Sequence, residues 1–355
     1  MSTLYSNLKF LSYSEHLEAI RERRVLAPVH IRIKPTNRCN HDCWYCAYHV
    51  DNLQLGEEMD QRDTIPEAKM LEIIDDIVEM GVRAVTFSGG GEPLIYKPLP
   101  ECVERLAAGG VKVAALTNGS NLKGRVAEVF AEHGTWLRVS LDGWDEASYS
   151  HARGVPEGTF GKLLDNLRAF VHLGSRCVLG ASYIIDQHNH AHVADACRIL
   201  RDVGLNHVKL SGVVVGNGVD ENNRYHAEIR DQVERQIELA RELENDDFTV
   251  VDHYHELAGR VFEKSYDFCP FLQFQPVIAA DCRVYTCHDK AYNQEGLLGS
   301  IEERSFRDFW FSEENHERIY SFNPSRSCHH HCTVHSKNLA ILEYLALDPE
   351  HIPFV

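Results

Sequence analysis

The stretch VHIRIKPTNRCNHDCWYCAYH, residues 29–49, decides how the rest of the chain is read. VHIRIKP reads as a β-strand. It runs directly into three cysteines spaced C-x-x-x-C-x-x-C: Cys39, Cys43 and Cys46. Metal sites built by protein usually close with four ligands, and this loop supplies three. One reading is a structural zinc loop that takes its fourth ligand from His41 or His49. The other is an iron–sulfur cube in which one iron is left for a small molecule.

Working outward, strand and helix patterns alternate. PEAKMLEIIDDIVEMG (66–81) is a helix with Leu71, Ile74, Ile77 and Val78 on one face. VRAVTFSGGG is a strand running into a glycine loop, and VKVAALTNG, WLRVSLDG, VLGASYIID and HVKLSG follow as strands separated by helical segments. This makes six β/α repeats, whose apolar runs fit buried parallel strands. Six are too few to close the eight-strand barrel, so the expected fold is α/β, an open partial (β/α)6 barrel. Cys39, Ser88 to Glu92, Thr117 to Gly119 and Ser140 to Asp142 all fall at C-terminal strand ends, where parallel α/β folds place their sites. The expected divisions are an N-terminal extension (1–28), the barrel core (29–215), a connecting helix and strand (216–255) and a small cysteine-rich α+β domain (256–355). Within the connection, one long polar helix is expected over roughly 222–244.

The bulk properties narrow the function classes. The 36 basic and 53 acidic residues leave a net charge of −17, which argues against nucleic acid as the main partner. An apolar content of 44% and a charged content of 25% are those of a soluble globular chain. There is no run of eighteen apolar residues and no basic-then-apolar N-terminus, so no membrane span or secretion signal is expected, and cytoplasm is the default. In that reducing compartment eleven cysteines point to metal or catalysis rather than disulfides. Cys102, Cys177 and Cys197 lie in apolar segments and read as small buried residues.

A C-x-x-x-C-x-x-C loop after the first strand of a partial barrel resembles the signature of the radical S-adenosylmethionine enzymes. The resemblance implies a [4Fe–4S] cluster on Cys39, Cys43 and Cys46. Its unique iron would chelate the amino and carboxylate groups of S-adenosylmethionine, and an electron donor such as flavodoxin or ferredoxin would reduce it. It places the ring of Tyr45 near the adenine. It also matches FSGGGEP (87–93) to a loop that contacts the methionine ammonium, through Gly90, Gly91 and Glu92. Ser140 and Arg153 stand where related members bind the methionine carboxylate, a task suited to an arginine fork. Asn118 and Ser182 are candidate ribose or substrate contacts.

The tail, CPFLQFQPVIAADCRVYTCHD (269–289) and SRSCHHHC (325–332), resembles the SPASM extension, or its shorter twitch form. By that resemblance Cys269, Cys287, Cys328 and Cys332 hold one auxiliary [4Fe–4S] cluster. Cys282 stands where the pattern expects a glycine: it is either a substituted turn residue or a replacement ligand. A zinc site built from four cysteines is the alternative. His329, His330 and His331 either face solvent or help to bind an anionic substrate.

An auxiliary cluster suits an oxidation. About thirty residues precede the first strand, too few for the leader-recognition domain that many peptide-modifying relatives carry. A small substrate such as a sugar, aminocyclitol or nucleoside derivative is therefore expected, with peptide modification as the alternative. Lys209, Tyr183, His253 and His255 are candidates for a general base, none of them decisive. A non-catalytic zinc module is the reading from another class, and the acidic charge, the GGEP loop and the β/α repeats count against it.

Overall fold

Apolar strands, with alternating burial along β-strands His30–Ile33 and Gly134–Ser140, build one open sheet. The computed structural model describes residues 5–50, 53, 55–255, 262–348 and 350–354. Ten strands form in chain order: β1 (His30–Ile33), β2 (Ala84–Phe87), β3 (Lys112–Thr117), β4 (Gly134–Ser140), β5 (Val178–Ile185), β6 (His207–Gly212), β7 (Thr249–Asp252), β8 (Val277–Ile278), β9 (Arg283–Tyr285) and β10 (Leu297–Ser300). Their spatial order is β10-β9-β8-β1-β2-β3-β4-β5-β6-β7. β1 to β7 pair in parallel, β8 joins β1 in parallel, and β8, β9 and β10 form an antiparallel meander. The sheet does not close, as the repeat count implies.

Ile31, Ile33, Val85, Phe87, Leu137, Val139, Leu179, Ala181, Val208 and Leu210 belong to the core between sheet and helices. Because side chains alternate along a strand, the residues between them face the other way, into the lumen. The lumen therefore receives His30, Arg32 and Lys34 along and just past β1. It also receives Arg138 and Ser140 from β4, Gly180 and Ser182 from β5, and His207 and Lys209 from β6.

The strand expected in the connection is β7, which pairs in parallel with β6 as the seventh parallel strand. Two expectations need correction. The long helix is two, Val219–Ala227 and Arg230–Arg241, divided where the buried Ile229 turns into the core. Helix Glu67–Glu79 buries Met70, Ile73, Ile74 and Ile77, while Leu71 and Val78 flank that face half-buried, because the stripe wraps one residue further round the helix than the sequence pattern implies. Cys102, Cys177 and Cys197 are buried, and burial holds each thiol up at about 12.

Candidate functional site

The three-cysteine loop is fixed at both ends by its neighbours. Gly91 N donates to the Thr36 carbonyl at 3.0 Å and Glu92 N to the Arg38 carbonyl at 2.9 Å, so the glycine loop and the start of the cysteine loop lie backbone against backbone. A Cβ on Gly91 would stand 2.0 Å from the Arg38 carbonyl oxygen, and one on Gly90 would stand 2.3 Å from Asn37 Oδ1. Glycine is required there by close approach. On the other side, Asp42 N donates to the Arg153 carbonyl at 3.0 Å. Helix Glu146–Arg153 ends there at Gly154, whose φ of 60° and contact with the Asp42 backbone leave no room for a side chain.

Within the loop Cys46 N bonds the Cys43 carbonyl at 3.0 Å, and His41 N donates to Cys39 Sγ at 3.4 Å. Burial pushes all three thiols up, Cys43 to about 12; Cys39 feels the charge of Cys46, and Cys43 those of Cys46 and Cys39. Three thiolates so placed repel one another and want a shared positive centre, which cluster iron supplies. Among the described residues no three His, Cys, Asp or Glu side chains draw together tightly enough to grip one metal ion.

Beside Cys43, Arg153 lies buried. Its Nη1 pairs with Asp142 Oδ2 at 2.8 Å and donates to the Tyr45 hydroxyl at 2.5 Å, and that hydroxyl donates to the same carboxylate oxygen. Burial pulls the guanidinium down, but Tyr45, Cys43 and Asp142 around it hold it well above its ordinary value, so it stays charged. Arg153 Nε is buried with no hydrogen-bond partner. That orphaned donor, next to the three-thiol loop, fits the carboxylate of an amino-acid ligand. Ser140 and Ser182 pair across β4 and β5 at the lumen mouth, and neither hydroxyl bonds another described residue.

Two expected contacts are turned inward. Glu92 is only 2% exposed, and its carboxylate accepts from Leu94 N at 2.9 Å, Thr117 Oγ1 at 2.5 Å and Asn118 N at 2.7 Å. It therefore pins the glycine loop to the end of β3 instead of presenting an open acceptor to an ammonium. Asn118 donates from Nδ2 to Asn40 Oδ1 at 2.9 Å and accepts from Ser120 N and Oγ, which ties the β3 end to the cysteine loop instead of leaving its amide open for ribose or substrate.

Lys34 escaped the sequence reading, although the alternation in HIRIK could have shown it. It is 1% exposed and donates to the Gly89 carbonyl at 2.6 Å and to the Tyr48 hydroxyl at 2.5 Å. Burial first and Arg32 second pull its ammonium down to about 7, while Asp289, Cys46 and Cys287 act the other way. Lys34 thus stands between the two cysteine groups. The sequence reading placed Asp142 at a strand end but gave it no role, since nothing in SLDG marks that aspartate as buried.

In the tail, Cys269 is influenced by Cys332 and Cys287, Cys287 by Cys332 and Cys328, and Cys328 by Cys269 and Cys332. The four form one group. Asn338 Nδ2 donates to Cys269 Sγ at 3.3 Å, and the buried Lys264 and Lys290 oppose the charge on Cys328. A four-thiolate cluster carries net negative charge, and such donors and cations suit it. Cys282 does not join them. It sits in the β8–β9 turn at φ 56°, a left-handed conformation that favours glycine, with its side chain buried against the main core. Burial pushes its thiol up to about 11, and the charges that act on it are Asp281, Lys69, Glu302 and Asp63, none a cysteine. The replacement-ligand alternative is corrected accordingly: the thiol points to the core because the turn geometry sends it there.

Among the remaining candidates, Tyr183 points outward into the core, His330 is buried while His329 is exposed, and His255 pairs with Asp252 at 3.2 Å. Lys209 faces the lumen beside Ser182, and the His253 ring meets Tyr5 edge-on at 5.5 Å.

Residues 33–187 match the radical SAM superfamily, and residues 269–333 match SPASM, an iron–sulfur cluster-binding domain. The probable GTP 3',8-cyclase of Methanosarcina mazei is 34% identical over 153 residues, which is 41% of this chain and 42% of that protein. The S-adenosylmethionine-dependent nucleotide dehydratase of Lacinutrix mariniflava is 32% identical over 108 residues, 30% of this chain and 22% of that protein. The chain spans less than half the length of these two curated relatives. Among solved structures, Streptococcus suis SuiB bound to precursor peptide SuiA superposes with a TM-score of 0.63 at 15% identity, over 94% of this chain and 78% of that one. Native anSMEcpe with bound AdoMet superposes with a TM-score of 0.58 at 14% identity, over 90% and 97%. At these identities the structural likeness is one of fold. No helix among the described residues is long and apolar enough to cross a membrane.

Proposed function

Since the chain belongs to the radical S-adenosylmethionine superfamily and carries a SPASM-type iron–sulfur domain, we propose that it cleaves S-adenosylmethionine reductively and takes a hydrogen atom from a small substrate in the lumen, with oxidation of that substrate as the outcome. When bound, a [4Fe–4S] cluster on Cys39, Cys43 and Cys46 supplies the electron that yields the 5′-deoxyadenosyl radical, and a second on Cys269, Cys287, Cys328 and Cys332 supplies an electron acceptor. Flavodoxin or ferredoxin is the class of donor proposed for the first electron.

The chain's own residues supply position and charge. Arg153, held charged and aimed by Asp142 and Tyr45, receives the methionine carboxylate through its unspent Nε. Gly90 and Gly91 keep the backbone close enough to meet the ammonium, and Glu92 holds that loop rigid from beneath. Ser140 and Ser182 offer hydroxyls at the lumen mouth. The observation that carries this reading is the buried, unpartnered Arg153 Nε beside a three-thiol loop at a strand end. A small substrate is favoured because the curated relatives matched along the barrel are named for nucleotide chemistry.

The test uses anaerobically reconstituted protein, reduced with dithionite and supplied with S-adenosylmethionine. The expected products are 5′-deoxyadenosine and methionine, with about eight irons per chain, falling to about four when Cys39, Cys43 and Cys46 are all changed to alanine. A protein that holds only zinc, or yields no 5′-deoxyadenosine, refutes the reading.

A further inference from the structure

Two arginines face the lumen from opposite parts of the sheet, Arg32 from β1 and Arg138 from β4, in a chain whose net charge is −17. Arg32 has lost much of its water, and Arg138 is half-buried. Arg32 Nε is buried with no hydrogen-bond partner. Arg138 donates to the Tyr5 hydroxyl at a long 3.4 Å and has the Trp136 ring 6.0 Å away. Neither makes an ion pair among the described residues. Arg138 also acts on Arg32 as a like charge, so the two lie within electrostatic reach of each other. The acidic group that acts most on Arg32 is Asp289, and it is already held by His288 at 3.0 Å.

Charged side chains removed from water are normally paired, because desolvation costs several kcal/mol for each ion. Two guanidiniums within electrostatic reach of each other, neither in an ion pair among the described residues, make a site for an anion. A carboxylate presents one edge and suits one fork, whereas a phosphoryl group presents several oxygens and accepts from two forks at once. Gly180 faces inward between Arg138 and His207 in the strand register, and its bare Cα seats the His207 ring at the base of this floor, since a Cβ would meet that ring at 2.2 Å. Tyr5 closes the floor through its hydroxyl, 3.0 Å from His207 Nε2.

We propose that Arg32 and Arg138 form a phosphate-binding floor, so that the substrate is a phosphorylated small molecule held with its phosphate deep in the lumen and its reacting carbon toward the strand ends. Ser140 and Ser182 lie two residues further along β4 and β5 than Arg138 and Gly180, about 7 Å nearer the mouth. The part of the substrate next to the phosphate therefore reaches the level at which S-adenosylmethionine is placed. This inference rests on the reading of that mouth given above.

The experiment measures binding to the reconstituted holoenzyme of tripolyphosphate, GTP and glucose 1-phosphate, with guanosine and glucose as uncharged counterparts. S-adenosylmethionine binding is measured separately on the same wild-type preparation, so a failure there counts against the mouth and not the floor. The expected result is at least tenfold tighter binding of a phosphorylated probe than of its uncharged counterpart, weakening as salt rises. Arg32→Gln and Arg138→Gln should each weaken it at least tenfold, and Arg32→Lys by less. Binding of tripolyphosphate and GTP identifies a nucleotide-type polyphosphate, and binding of glucose 1-phosphate alone a sugar monophosphate. If no phosphorylated probe binds, or charged and uncharged probes bind alike, or neither arginine variant changes affinity, the proposal is overturned. The wild-type contrast decides the matter even where a variant fails to fold.

Discussion

Asp142 and Arg153 form an ion pair of 2.8 Å with both side chains buried, and the pair joins the end of β4 to the helix that ends beside the cysteine loop. Asp142 holds a left-handed φ of 65°, which turns its carboxylate back toward that helix, and its other oxygen accepts from Ile184 N at 2.6 Å. One carboxylate thereby sets β4, β5 and the arginine expected to meet the methionine carboxylate.

Replacement of Asp142 by Asn tests that arrangement, since Asn tolerates a left-handed backbone and mainly the charge is lost. Arg153 would then be buried without a counter-charge, and loss of one partner from such a pair typically costs about 3–5 kcal/mol. Affinity for S-adenosylmethionine should fall about tenfold or more, and denaturant unfolding should show the lost stability. Unchanged affinity in equilibrium binding would remove Asp142 from the positioning role.

The Cys282 assignment has its own test. Cys282→Gly places the residue favoured at φ 56° and should keep the wild-type iron content, with stability within about 1 kcal/mol as relieved backbone strain offsets lost packing. Cys328→Ala should lose about four irons per chain. Equal iron loss in both variants would return Cys282 to the ligand set.

Gly91→Ala should damage the site from the backbone side. The new Cβ would stand 2.0 Å from the Arg38 carbonyl oxygen, with backbone on both sides and no flexible side chain to give way. Iron bound by the Cys39–Cys46 loop should fall to less than half, while the tail retains its iron, as read from iron content in a background lacking one or the other cysteine group. Full occupancy in the variant would show that this close approach is not needed.

A pH dependence follows from His207. Burial, and next Arg138, lower its pKa to about 4, against about 6.5 in an unfolded chain. The group is neutral in the fold. Its contribution to stability is therefore complete above about pH 6.5 and is lost as pH falls toward 4, at most about 3 kcal/mol. His207→Gln should flatten that part of the stability curve in denaturant titrations between pH 4 and 7. An identical slope in wild type and variant would contradict the burial argument.

The cysteine loop, the glycine loop and the β/α rhythm were legible because each is local: spacing, bare Cα atoms and alternation are written along the chain. Glu92 was legible as a residue of the site but not in its task. Whether its carboxylate faces a ligand or the protein depends on Thr117 and Asn118, which the pairing of β2 with β3 delivers. Cys282 carried a signal, the missing glycine, that only the turn's φ could interpret.

By itself, then, the sequence determined the parallel sheet and the three-thiol loop, and the four tail cysteines entered as what a resemblance implies. Tertiary structure alone decided that Arg32 and Arg138, over a hundred positions apart, come within electrostatic reach of each other, and that Lys34 feels the charge of both cysteine groups. Strand alternation states which side chains face the lumen, but the twist and stagger of the sheet settle which of them meet across it.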